Sequence, residues 1–111
     1  MKFIRVLKAN DRDLKKYIKD VQTNLPKEFA RFQQEADNML KDLDPSLKAV
    51  KVDLSGSYKT GKATEDSDID IVIYYTGNME QDEVNEKLLQ NSPLFSSNTF
   101  GLLDSGFVKI D

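Results

Sequence analysis

The sequence predicts an α+β domain, a small mixed β-sheet packed against helices. Apolar residues recur at every third or fourth position through residues 11–43, the signature of amphipathic helices. After Pro45 the period changes to two, in short runs rich in Val, Ile and Tyr that suit half-buried strands. A further helical stretch separates the second such run from the third.

Residues 2–7 (KFIRVL) suit either a short strand or a leader and are too few to decide. Leu14, Tyr17, Ile18 and Val21 share one side of a helix over residues 11–24, with Asn10 or Asp11 placed to cap it. Pro26 suits the first turn of a second helix, whose Phe29, Phe32, Ala36, Met39, Leu40 and Leu43 form a stripe that Asp44-Pro45 stops. That aromatic and methionine stripe reads as core. Residues 49–54 (AVKVDL) set Val50, Val52 and Leu54 against Lys51 and Asp53, a half-buried strand that delivers the chain to Gly56. Residues 62–67 have room for no more than a turn. A second strand follows over 68–75, closed by Thr76-Gly77-Asn78. Residues 79–90 form a short acidic helix with Val84, Leu88 and Leu89 inward, ended by Asn91-Ser92-Pro93. Residues 94–105 read as loop or irregular strand, with Asp104-Ser105-Gly106 a turn. A third strand runs over 106–111, placing Phe107, Lys109 and Asp111 on one face and Val108 and Ile110 on the other.

With 111 residues the chain is a single domain, room for one core and one site. A net charge of -3 carries no overall basic signature for nucleic acid, so a polyanionic partner has to be held locally. Cysteine and histidine are both absent, which excludes disulfides, thiolate or imidazole metal sites and nucleophile–histidine catalysis. Carboxylates, hydroxyls and lysines are left to do any chemistry. No apolar run approaches the ~20 residues of a membrane span, and the first residues lack a signal-peptide core. A cytoplasmic protein is expected.

The chemistry concentrates in SGSYKTGKATEDSDIDIVIYY, residues 55–75. In an extended chain alternate side chains share a face, so Asp68 and Asp70 lie side by side with Cα atoms about 6.6 Å apart. Two carboxylates on an otherwise apolar strand repel one another unless a cation screens them, and a bound metal ion is the simplest reason for the pair. Residues 56–63 (GSYKTGKA) nearly spell a phosphate-binding P-loop, but Ala63 stands where a hydroxyl should ligate the metal. Too few residues then separate it from Asp68 for the required helix.

The whole constellation is a better match: an apolar strand, Gly56-Ser57, ten residues, Asp68-Ile69-Asp70, an apolar strand and a later strand ending in Asp111. In this it resembles the nucleotidyltransferase superfamily related to DNA polymerase beta, over residues 50–111. The resemblance implies transfer of a nucleoside monophosphate from a nucleoside triphosphate, ATP being the expected one, to a hydroxyl or phosphate acceptor with release of pyrophosphate. It implies two magnesium ions held by Asp68, Asp70 and Asp111, the last also orienting the attacking hydroxyl. Gly56 and Ser57 would grip the terminal phosphates, glycine because the backbone must approach without a Cβ.

Lys59 and Lys62 flank the loop, equally suited to neutralising the triphosphate or to lying solvated. Thr60 stands where many members carry a basic residue. Glu65 and Asp66 read as exposed loop acids, Tyr75 as strand packing, and Tyr74 shares the carboxylate face. Asp104 is the rival third acid. Because the chain stops on Asp111, it is expected to be a fragment or N-terminal domain of a longer protein with further domains. The acceptor (RNA, protein, nucleotide or small molecule) has no short signature. The alternative is a non-catalytic nucleotide-binding or protein-interaction module on the same fold, and a further one is that the N-terminal helices form an oligomer interface.

Overall fold

A computed structural model describes residues 11–64, 66–89, 100 and 103–110. Helix α1 spans Asp11–Asn24 and buries Ile18 and Val21. A 3-10 turn, Leu25–Glu28, with Pro26 in its opening positions, tucks Leu25 fully inside and redirects the chain. Helix α2, Phe29–Leu43, then buries Phe32, Ala36 and Leu40, one residue per turn of a single stripe, as the spacing predicts. It stops at Asp44, which adopts an extended backbone while its amide still donates to Leu40 O (2.9 Å). Asp44 Oδ1 accepts from Ser46 N (3.0 Å), an Asx turn that swings the chain into the sheet.

Among the described residues the sheet has three strands in the order β1-β2-β3: β1 Lys48–Ser55, β2 Asp70–Thr76 and β3 Asp104–Lys109. β1 and β2 are antiparallel, β2 and β3 parallel, so the sheet is mixed as expected. Between β1 and β2 lies helix α3, Gly56–Thr60, a single turn; between β2 and β3 lies helix α4, Gln81–Leu89. Leu54, Ile71, Val52, Ile73, Tyr75 and Phe107 face the helices and form the core with them. Each such side chain, taken out of water, contributes roughly 1.5–3 kcal/mol. Among the described residues no helix is long and apolar enough to cross a membrane.

Three strand expectations need correcting, the first being that β2 begins at Asp70 and not at Asp68, so Asp68 precedes the strand and the two acids do not share a strand face. β1 does not alternate from Val50: Ala49 pairs with Tyr75 while Lys51 pairs with Tyr74, so one surplus residue, Val50, bulges out and is 42% exposed. Ala49 takes the inward position instead, its amide donating to Asp37 Oδ1 (3.0 Å) on α2. β3 begins at Asp104, two residues before its expected start, and Asp104-Ser105-Gly106 is strand rather than turn. Leu103 and Phe107 point inward, and Asp104 N donates to Ile69 O (2.9 Å), joining the third strand to the second at its first residue.

The outer edge of β3 is closed by α4. Asn85 Oδ1 accepts from Phe107 N (2.8 Å) while its Nδ2 donates to Phe107 O (3.0 Å), and Gln81 Oε1 accepts from Lys109 N (3.1 Å). Side-chain amides thus stand in for a fourth strand where a bare ladder edge would invite another chain.

Candidate active site

The helices cover one face of the sheet, and among the described residues the other face is open. Across the open face run three rows set by the register: Lys51–Tyr74–Val108, Asp53–Val72–Gly106, and Ser55–Asp70–Asp104. The last row lies where β1 ends and where β2 and β3 begin, so three chain segments distant in sequence meet there. An open pocket of about 420 Å³ is lined by Ser55, Asp70, Asp104 and by Gln81 and Asn85 of α4.

Local geometry explains why a glycine follows Ser55. Gly56 has φ +68°, which favours a residue without a Cβ, and a Cβ built there would collide with Asp70 Oδ2. The Gly-Ser turn therefore lies directly against Asp70. Ser57 is half-buried in the single turn of α3, and Gly61, at φ +80°, ends that turn with its amide on Ser57 O. Lys62 N also donates to Ser57 O (2.9 Å).

The flanking side chains fall into place around this turn. Tyr58 is buried at the foot of α3, with the Tyr17 ring of α1 edge-on at 6.0 Å. Burial pushes the Tyr58 hydroxyl above its usual range, and the charge of Asp68 adds to that. The Tyr17 hydroxyl, buried without a hydrogen-bond partner among the described residues, is pushed up to about 12 by that burial, with smaller contributions from Tyr58 and Asp20.

The three acids repel one another. Asp70 is held above the usual carboxylate range, first by burial and then by the charges of Asp104 and Asp68. Asp104 is raised as well, by burial, by the charge of Asp68 and by hydrogen bonding with Asp68. Among the described residues, no three His, Cys, Asp or Glu side chains are arranged to enclose an ion as they stand. The donor chemistry nonetheless fits a hard divalent cation: all three groups offer carboxylate oxygens, and their repulsion is what a cation relieves.

Of the residues singled out in the sequence, Gly56 lies against Asp70, Asp68 is close enough for its charge to act on Asp70, and Ser57 follows Gly56 in the turn of α3. Asp68 is exposed and lies just before β2, while Ile69 between the pair is buried. Lys59 Nζ sits 3.4 Å from Asp53 Oδ2, on the open face, and Asp53 also meets Lys51 Nζ at 3.7 Å. Lys62 is exposed beyond Gly61. Tyr74 lies on the Asp70 face, between Lys51 and Val108.

Asp111 lies outside the described residues. Its neighbour Ile110 donates to Tyr75 O (3.0 Å), at the end of β2 away from Asp70. The acid that the described residues bring to the pair is Asp104. Reading the period-two pattern from Leu103, with Ser105 and Phe107 inward, would have placed Asp104 outward beside Asp70. Asp104 was named in the sequence only as the rival third acid, whereas Ser55 and Gln22 were missed; Gln22 carries no motif, because its contacts with the turn are made across 36 residues.

Comparison with known proteins adds one finding. Residues 34–98, more than half of the chain, match the nucleotidyltransferase domain family. The matched stretch runs from α2 through the Gly-Ser turn, β2 and α4. No curated protein and no solved structure matches the chain.

Proposed function

Because this chain belongs to the nucleotidyltransferase domain family, we propose that it transfers a nucleoside monophosphate from a nucleoside triphosphate to an acceptor hydroxyl or phosphate. ATP is the expected donor. The observation that carries this reading is the contact of the Gly56 turn with Asp70 in a row that also holds Asp104.

Each residue has a task in the transfer. An acceptor oxygen forms a bond to the α-phosphorus, the bond from that phosphorus to the bridging oxygen breaks, and pyrophosphate leaves. Gly56 and Ser57 present backbone amides and a hydroxyl to the terminal phosphates. Lys59, released from Asp53, and Lys62 offset the charge of the triphosphate. Asp68 and Asp70 are the residues to hold magnesium. When bound, the ions stabilise negative charge on the attacking and leaving oxygens. Asp104, at the rim of the pocket, orients the acceptor hydroxyl and takes up its proton. It thus fills the role expected of Asp111.

Label transfer tests this directly. The chain, magnesium and each α-labelled nucleoside triphosphate are incubated with RNA, protein and small-molecule acceptors. Transfer should fall by about a hundredfold or more in Asp70→Asn and Asp104→Asn, the range for losing a group that handles a proton or charge in the transition state. Asp111→Asn should retain it. Absence of transfer with every nucleotide refutes the enzymatic reading, and loss in Asp111→Asn with retention in Asp104→Asn refutes the choice of third acid.

A further inference from the structure

We propose that Gln22, on α1, is a positioning residue: it holds the turn of α3 against Asp70 so that the amides of Gly56 and Ser57 meet the donor's phosphates. This rests on the nucleotidyl-transfer reading above. Gln22 lies outside the stretch that matches the family, and nothing in its local sequence marks it.

A five-residue helix cannot hold itself. Helix nucleation is unfavourable, and the last four carbonyls of any helix lack partners within it. In α3 these partners divide into two sets. Ser57 O is satisfied within the turn, by Gly61 N, Lys62 N and the Thr60 hydroxyl at 3.2 Å. The next two carbonyls are satisfied from α1, Gln22 Nε2 donating to Tyr58 O at 2.8 Å and to Lys59 O at 3.3 Å. One amide group thus receives the C-terminal end of α3 while the other end of the same turn, Gly56, lies against Asp70. The edge-on contact of Tyr17 with Tyr58 adds a second attachment five residues earlier on α1. Between these two fixed points the turn has little freedom to shift relative to the acids. Gln22 does this from the exposed side of α1, so it contributes little to the core.

The test uses the full 111-residue chain with Gln22→Met, which keeps the length and loses the donor, and Gln22→Lys, which restores a donor. Amide hydrogen exchange over residues 57–62 reads the tether without nucleotide, and calorimetric titration with the magnesium complexes of ATP, GTP, CTP and UTP, each alone, reads its consequence. In Gln22→Met, exchange should quicken and affinity for the nucleotide that binds should weaken, each by about tenfold, the scale of one hydrogen bond. Gln22→Lys should restore both. Unchanged exchange in Gln22→Met, nucleotide affinity within about twofold of the parent, or a Lys variant as impaired as the Met variant each overturns the proposal. If the parent chain binds none of the four nucleotides, the transfer reading itself fails and the proposal falls with it; a parent that binds and a Gln22→Met variant that binds equally well remove this proposal alone.

Discussion

Replacing Gly56 by alanine, with Gly61→Ala as its partner, isolates the close approach between the turn and the acid pair. Both glycines have positive φ, +68° and +80°, so both substitutions carry the cost of a left-handed backbone, about 1–2 kcal/mol. They differ in what the new methyl meets. At Gly61 the nearest atom is Gln22 Nε2 at 3.8 Å, an ordinary contact. At Gly56 the methyl runs into Asp70 Oδ2, with Asp70 Cγ 3.3 Å away. Forcing a group into occupied space adds roughly 1–3 kcal/mol, so Gly56→Ala should lose about 2–5 kcal/mol against about 1–2 for Gly61→Ala. For a domain of this size each kcal/mol lowers Tm by roughly 4 °C or more, and thermal unfolding followed by circular dichroism resolves that difference. If the Asp70 carboxylate rotates away, the loss moves from stability to function, and calorimetric titration with magnesium and nucleotide should then show weaker binding in Gly56→Ala only. Equal Tm losses together with equal binding in the two variants would refute the contact.

Two further outcomes follow from the same geometry. Asp70 and Asp104 hold their protons more tightly in the folded chain, so the stability they contribute is complete below the unfolded value, about pH 4, and is lost as pH rises through the raised folded values. Unfolding in urea from pH 4 to 7 should therefore show the parent losing stability relative to Asp104→Asn, and magnesium at pH 7 should restore it; the opposite slope refutes the repulsion. Asn85→Leu removes both hydrogen bonds to Phe107 and should cost about 1–3 kcal/mol in thermal unfolding; an unchanged Tm would show that the edge of β3 does not need its amide.

How much of this was legible in the sequence depends on the range of the interaction that decides each feature. The helical stripe of Phe32, Ala36 and Leu40 and the punctuation by Pro26 and Asp44-Pro45 are local, and the structure follows them nearly to the residue. Gly56, Asp68 and Asp70 were legible because a recognisable spacing joins them. Asp104 was legible only as the rival third acid, set behind Asp111 because its Ser-Gly neighbours suggest a turn; that propensity yields to pairing with β2, a tertiary contact no local pattern encodes. Gln22 was hidden more completely, since a glutamine on the exposed side of an amphipathic helix looks like any solvated residue until the turn it serves is in place.

The bulge at Val50 has a consequence at the far end of its strand. With strict alternation from Ala49, the positions of Lys51, Asp53 and Ser55 would all turn toward the helices, sending charged groups into the oil. One extra residue inverts the parity halfway along, so the strand begins in phase with the core and finishes in phase with the carboxylates. Drawing Val50 into the ladder without removing a residue would thus act as a frameshift in three dimensions for the whole carboxylate edge, whereas deleting Val50 would leave every later residue of the strand facing as it does now.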